Sequence, residues 1–392
     1  MTVERTQVAI VGGGVAGLML SQLLYVEGIS CVVLERQTRA YTENRIRAGV
    51  LEAGTVNLLR RAGVNERMDR AGVVHNGLIL LNNGLRTRLD LPSLVGSYVM
   101  VYGQTEITID LMDACATRGV PLIFEAQDVA LHDFDTASPT VTYTKNGIAH
   151  GLACDFIVGC DGFHGVSRPS MPESGASSYL KEYPFGWLGI LADVPPLEHE
   201  VIYSIHPNGF GLASMRSMTR SRYYIQCPLD TRLDDWPDDR IWDELEVRLG
   251  TVGTDRLVRG PSIEKSIAPL RSFVCEKMQH GRLFLCGDAA HIVPPTGAKG
   301  LNLALSDVSY LADALIPYYR RGEEAALSDY THRALARIWK TERFSWTMTR
   351  LTHRFPDTSD FDQKMQIAEL EYISSSEVAQ KSIAENYVGL PY

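Results

Sequence analysis

Cysteine is scarce in this sequence and never paired. The seven residues stand singly, with no C-x-x-C and no regular spacing. That excludes a disulfide framework and a zinc ribbon, and it suggests a reducing cytoplasm. Positive charge is also in deficit. Lys and Arg number 38 against 47 Asp and Glu, a net charge of −9. A field of that sign argues against nucleic acid or an anionic membrane as partner. An anionic ligand must therefore meet a local arginine cluster. Long hydrophobic runs are missing as well. Residues 8–26 are nearly long enough to span a bilayer, but they hold four glycines, Ser21 and Gln22, and no second span supports them. No charged, apolar leader opens the chain, and no repeat or low-complexity tract occurs. His291 stands beside Asp288 without a second histidine at ligand spacing, so no metal site is expected.

What remains is a chain of 392 residues, enough for about two or three domains and a large core. Its organising stretch is Gln7 to Glu35. Val8–Ala9–Ile10–Val11 reads as a buried strand, and Gly12, Gly14 and Gly17 follow at the spacing G-x-G-x-x-G. An apolar helix through Leu18, Leu20, Leu23 and Leu24 ends at Gly28. Cys31–Val32–Val33–Leu34 is a second strand with Glu35 at its end. Strand, glycine turn, helix, strand and acid form a dinucleotide-binding βαβ unit. Gly12 makes the turn, Gly14 admits a pyrophosphate to the backbone, and Gly17 lets helix pack on strand. Free N–H groups and the positive helix end hold the diphosphate. Glu35 can accept from a ribose hydroxyl.

Further along, Arg45 and Arg47 precede a helix over about 52–61, and Arg47 is placed to contact phosphate. Gln104 opens a helix over about 106–117. The strand 156–158 ends in Gly159–Cys160–Asp161–Gly162, a second strand end expected to face the ligand, although Asp-Gly alone is only a turn. From Ser178 the pattern alternates as in an antiparallel sheet. Ser214 and Arg216 lie two apart, so they share a strand face; with Tyr224 they suit a carboxylate or a cross-strand polar ladder equally well. Strand 282–286 then leads into Gly287–Asp288. Asp288 can reach a sugar hydroxyl or a ribityl chain, and a helix starting near Leu301 offers N–H groups and positive charge. Beyond Asp329 the chain reads as helical, with Trp339 and Trp346 as core residues. The apolar, aromatic tail 383–392 is expected to dock.

GGGVAG with Glu35, GCDGFHG at 159–165 and GDAAHIVPPTGAKGLNLA at 287–304 together resemble the class A flavoprotein aromatic hydroxylases. RIRAGVLE (45–52), VYGQTE (101–106), YPFGWLG (183–189), TRSRYY (219–224), SIAPLRSF (266–273) and IAENYVGLPY (383–392) narrow the resemblance to members that act on 4-hydroxybenzoate. It runs from the first strand to the last residue. It implies an α/β fold with α+β elements. A Rossmann-like FAD-binding domain would span 1–177, and an antiparallel-sheet substrate domain 178–290. The flavin-contacting loop, a helical region and the docked tail would occupy 291–392.

The resemblance also implies roles. FAD would meet Gly12, Gly14, Gly17, Glu35, Arg45, Arg47, Gln104, Asp161, Arg222, Asp288, Lys299, Gly300, Leu301 and Asn302. Ser214, Arg216 and Tyr224 would clamp the substrate carboxylate, and Tyr203 would bond its phenol. Tyr387 and His75 would continue that proton chain, His75 at the solvent end, and Pro295 would place a carbonyl beside the reacting atoms. NADPH would meet Arg36, Gln37, Tyr41, Arg47, His164, Arg168 and Arg271. Val15 stands where the family often has proline. Arg39–Ala40 replaces a Pro-Asp pair, which leaves NADH possible beside NADPH.

The reaction implied is reduction of FAD by NADPH, addition of O₂ to give a flavin C4a-hydroperoxide, and oxygen transfer to C3 of 4-hydroxybenzoate, yielding 3,4-dihydroxybenzoate in aromatic degradation. A cytoplasmic homodimer is expected. Rival readings are a hydroxylase for another hydroxy- or aminobenzoate such as 3,4-dihydroxybenzoate, a nonenzymatic flavin redox sensor, and an NAD-dependent dehydrogenase. The sensor needs neither the tyrosine pair nor the Ser214–Arg216–Tyr224 set. The dehydrogenase leaves Gly287–Asp288 and its loop unexplained.

Overall fold

The computed structural model describes residues 3–44, 49–82, 84–172, 177–250 and 257–392. Arg45 and Arg47 lie outside the described residues.

Val8–Val11 is buried at all four positions and sits inside a six-stranded sheet. The order is Gln279–His280, Leu283–Leu285, Phe156–Gly159, Val8–Val11, Cys31–Leu34, Leu122–Ile123. Five strands run parallel and Gln279–His280 closes the edge antiparallel. Unbroken apolar runs such as VAIV and CVVL are what a parallel sheet covered on both faces requires. Helix Val15–Val26 packs on helices Gln104–Arg118 and Gly300–Arg321. Strands 8–11, 156–159 and 283–285 release Gly12, Cys160–Asp161 and Gly287–Asp288 at one carboxyl edge. In open α/β sheets that edge is where ligands bind.

A second sheet has eight strands, ordered His291–Ile292, Ser262–Cys275, Ser178–Ala192, Arg220–Cys227, Gly211–Ser217, Val201–Ile205, Gly77–Asn82, Leu85–Asp90. The alternating segments after Ser178 form its middle. The hairpin 77–90 joins it from within the stretch 1–177, through a parallel seam in which Val201 faces Leu78 and Tyr203 faces Leu80. Leu283–Leu285, from within 178–290, belongs instead to the parallel sheet. The two sheets therefore draw on both sequence blocks.

The C-terminal stretch from 330 is helical: Tyr330–Thr352, Asp360–Ser375 and Glu377–Val388. Trp339 and Trp346 are not core residues. They are 41% and 39% exposed. Trp339 Nε1 donates to Glu276 at 3.3 Å and its ring meets Tyr179 edge-on, while Trp346 lies under Arg350. A large ring with one polar partner is stable at a rim. The tail does dock. Ala384, Tyr387 and Val388 are buried, and Arg337 donates to the carbonyls of Leu390 and Pro391 at 2.6 and 3.2 Å. All seven cysteines are buried thiols. No helix among the described residues is long and apolar enough to cross a membrane.

Candidate active site

The glycine turn has the shape a diphosphate needs. Gly12 has φ +110°, and a Cβ there would lie 2.3 Å from the Cys160 carbonyl oxygen; one on Gly17 would lie 2.1 Å from the Gly12 oxygen. Gly14 faces open space, and a Cβ there would meet nothing within 4 Å. The two glycines that touch protein thus close the turn, and the one that does not leaves the approach free. Glu35 braces the turn: Oε2 accepts from Gly13 N–H and Oε1 from Gln37 N–H, both at 2.8 Å. Each carboxylate oxygen keeps a lone pair for a ribose hydroxyl. Asp288 is exposed at the neighbouring strand end.

Asp161 turns back into its own loop. Its Oδ2 accepts from Ser167 N–H and Oγ at 2.8 and 2.9 Å, and burial raises its pKa. It acts on the cradle by fixing the loop 161–167. Gln104 is half-buried at the head of its helix.

Lys299, Gly300, Leu301 and Asn302 form the head of helix Gly300–Arg321. N–H groups in a first helical turn have no partner within the helix, so this end favours negative charge. The Asn302 side chain is fully engaged. It accepts from Glu52 N–H and Thr55 Oγ and donates to the Val50 and Ala298 carbonyls. Lys299 is buried and its Nζ donates to Glu52 Oε1 at 2.7 Å and to the Tyr387 carbonyl at 2.8 Å. Burial lowers its pKa against the pull of Glu52. The other oxygen of Glu52 accepts from Arg337 at 2.9 Å.

The substrate set shares one face of the eight-stranded sheet. Tyr203 is opposite Leu212, Leu212 opposite Tyr224, and Ser214 opposite Arg222; residues opposite one another in neighbouring strands point to the same side. Gly189 faces Tyr224 across the next strand pair. A Cβ at 189 would lie 2.6 Å from the Tyr224 ring and 2.9 Å from Arg222, so the glycine makes room for both. Arg222 is buried, bonded to Ser266 at 3.0 Å and paired with Glu264 at 3.2 Å. Arg216 bonds the Tyr224 hydroxyl, and burial together with the like charge of Arg222 lowers its pKa. No ion pair to Arg216 occurs among the described residues. Glu264, which pairs with Arg222, attracts this guanidinium through space.

Tyr203 is 2% exposed and Tyr387 3%, and their hydroxyls are hydrogen-bonded. Burial raises both pKa values, that of Tyr387 to about 12, with Glu200 adding to it. A Tyr203 hydroxyl that donates to Tyr387 keeps its lone pairs for a second O–H. His75 is not at the solvent end. It is 3% exposed, because the strand Val73–His75 turns inward beside Val99–Val101. Pro295 is exposed, and its carbonyl accepts from Ala298 N–H at 2.9 Å within a 3₁₀ turn.

The residues expected on the nicotinamide cofactor form two groups. His164, Arg168 and Arg271 gather around Phe163: Arg168 and Arg271 lie over its ring at 4.6 and 5.1 Å, and the His164 ring meets it edge-on. Arg168 also donates to the Ala289 and Phe163 carbonyls, so its fork braces the cradle. Arg36, Gln37 and Tyr41 follow strand Cys31–Leu34; Arg36 and Tyr41 are exposed. Arg39 is tied to Glu43 and Asp113.

Several contributors escape a reading of sequence. Glu52 looks like a helix cap, yet it neutralises two buried cations. His353 accepts the Trp187 Nε1–H at 2.7 Å and stacks on Phe185, Trp187 and Phe210, and Trp187 in turn packs on Tyr224. Only the fold brings residue 353 to 187. The signal available was a histidine ending a helix in an aromatic-rich chain, which is weak.

The family model described as an FAD binding domain matches residues 5–345. The chain is 54% identical over 393 aligned residues to the p-hydroxybenzoate hydroxylase of Acinetobacter baylyi, covering 100% of this chain and 97% of that one. It is 28% identical to a probable NADH-specific resorcinol 4-hydroxylase of Rhodococcus jostii, over 85% of this chain and 65% of the relative. Among solved structures, p-nitrophenol 4-monooxygenase PnpA of Pseudomonas putida superposes with a TM-score of 0.84 over the full length of both chains, at 16% identity. That likeness is one of fold.

Proposed function

The chain belongs to the FAD binding domain family and is an FAD-dependent monooxygenase, and from that premise we propose that it hydroxylates 4-hydroxybenzoate at C3 to 3,4-dihydroxybenzoate, with NADPH as donor and O₂ as co-substrate. The observation that carries the substrate is Arg216. It forms no ion pair among the described residues, Glu264 attracting it only through space, and it lies on the sheet face that also presents Tyr203. A carboxylate at one end of the ring and a phenol at the other satisfy both. The relative from Acinetobacter baylyi bears the name of that activity.

Gly12, Gly14, Gly17, Glu35 and Asp288 would hold FAD, with the head of helix Gly300–Arg321 beside its ring. When bound, FAD supplies the two-electron chemistry that activates O₂. The chain's own residues do the rest. Arg216, Ser214 and Tyr224 anchor the carboxylate and so fix which ring carbon faces the cofactor. A free phenol titrates near ~10, and the phenolate is the better nucleophile. Tyr203 accepts the phenol's proton as it passes its own to Tyr387. The apolar wall of Trp187, Phe210, Leu212 and Tyr387 keeps water from the reacting oxygen.

Exposed Arg36 and Tyr41 support NADPH as donor. The stripe Phe361, Met365 and Tyr372, exposed on one side of helix Asp360–Ser375, supports a homodimer. Buried free thiols suit the cytoplasm. The test is oxidation of NADPH and of NADH by the holoenzyme with a panel of hydroxy- and aminobenzoates, products identified. Preferred conversion of 3,4-dihydroxybenzoate or an aminobenzoate would reassign the substrate.

A further inference from the structure

His75 is enclosed. Its Nε2 is buried without a hydrogen-bond partner among the described residues, and burial with the neighbouring His199 pulls its pKa down to about 4. A proton arriving there cannot rest at neutral pH, and the ring has no face in water. His199 has one. It is exposed, and its ring centroid lies 4.8 Å from that of His75 with the planes tilted by 40°. His199 Nε2 lies 3.2 Å from the Val74 carbonyl. A carbonyl only accepts, so Nε2 carries the hydrogen and Nδ1 is left as the basic nitrogen.

The surrounding charges leave this route open and close the obvious alternative. Glu200 is the carboxylate that acts on Tyr387. Its two oxygens are both taken by Arg88, each at 2.7 Å, and Arg88 also holds Asp90 at 2.6 Å. Arg86 pairs with Glu198 at 3.6 Å. The strand beside His75, Val99–Val101, carries no titratable side chain. The C-terminal helix Glu377–Val388 carries Glu377, Lys381, Glu385 and Tyr387. His199 is the one titratable neighbour that shifts His75.

Resting on the Tyr203–Tyr387 step proposed above, and on its continuation to His75 that the resemblance implies, we propose that His199 is the outer member of that relay and the point where the substrate's phenolic proton enters water. At each hop one O–H or N–H bond breaks as the next forms. His75 takes the proton on one ring nitrogen and releases it from the other, and protonated His199 gives it to solvent. No electron pair leaves the molecule that owns it. His199 acts through His75 and is a positioning residue, not one that touches substrate.

The experiment is proton release on mixing FAD-loaded enzyme with 4-hydroxybenzoate in weak buffer, followed with an indicator dye across pH. His199→Gln should slow release roughly tenfold or more, with the final amplitude and the substrate affinity unchanged. Added imidazole should restore the rate. Release at the wild-type rate overturns the proposal; so does a slowed rate that imidazole leaves untouched, which marks the ring as packing. Tyr203→Phe separates this from the reading it rests on. Wild-type release in Tyr203→Phe removes the relay altogether. Loss of release there, with wild-type release in His199→Gln, removes only the exit.

Discussion

Lys299 and Glu52 are joined by a 2.7 Å ion pair whose side chains are 3% and 4% exposed. The same ammonium holds the Tyr387 carbonyl at 2.8 Å. The head of helix Gly300–Arg321 and the helix that carries Tyr387 thus share one buried cation. Arg337, on the far oxygen of Glu52, ties in the backbone of Leu390 and Pro391.

Glu52→Gln removes the only charge that offsets both cations in this cluster as described. Breaking a buried pair by deleting one partner costs about 3–5 kcal/mol. The urea midpoint of the FAD-loaded protein should fall accordingly. A midpoint within error of wild type would show that the cluster adds nothing to stability.

Arg216→Lys replaces a planar fork with a point charge. Loss of a charged hydrogen bond of about 1.5–3 kcal/mol raises the dissociation constant of 4-hydroxybenzoate roughly tenfold to a hundredfold. Titration of the substrate into oxidised holoenzyme measures it. Unchanged affinity would reject the carboxylate clamp.

Tyr203→Phe keeps the ring that packs against Phe210 and deletes the hydroxyl. Substrate binding and NADPH consumption should persist, while product formed per NADPH drops several-fold. Stoichiometric product in this variant would rule out the tyrosine as the phenol's base.

Glu342 is 5% exposed, and burial pushes its pKa up from 4.5 to about 7, with Ser272 and His291 opposing. A carboxyl raised in the folded state is stable there when neutral. Wild type therefore loses stability as pH climbs from about 4.5 to 7 and levels off above. Glu342→Gln should remove that slope and be more stable than wild type above pH 7, by at most about 3 kcal/mol. Paired urea titrations at pH 5 and pH 8 give the difference. Equal differences at both pH values would refute it.

The middle of the parallel sheet was legible because strands 8–11, 31–34 and 156–159 are written as apolar runs that end at or run into a glycine or acid. Ser214 and Arg216 were legible as one face from spacing alone; Tyr224 joins that face through its pairing with Leu212, and spacing did not choose between a clamp and a ladder. Trp339 and Trp346 misled because a helix with apolar positions all round does not say which of them meets a neighbour. His75 misled because a histidine in a polar-looking turn, VVHNG, gives no sign that His199 covers it. The contact of His75 with His199 joins residues 124 apart in the chain, which local pattern does not encode.

The seam between Val201–Ile205 and Gly77–Asn82 bears on how this enzyme can be recombined with its relatives. A chimera cut near residue 177 would transplant six strands of the eight-stranded sheet and leave behind the hairpin that borders them. A foreign strand would then have to zip against Leu78 and Leu80 behind Tyr203. Parts exchanged to alter substrate choice should travel as two inserts, 77–90 and 178–275, crossing together.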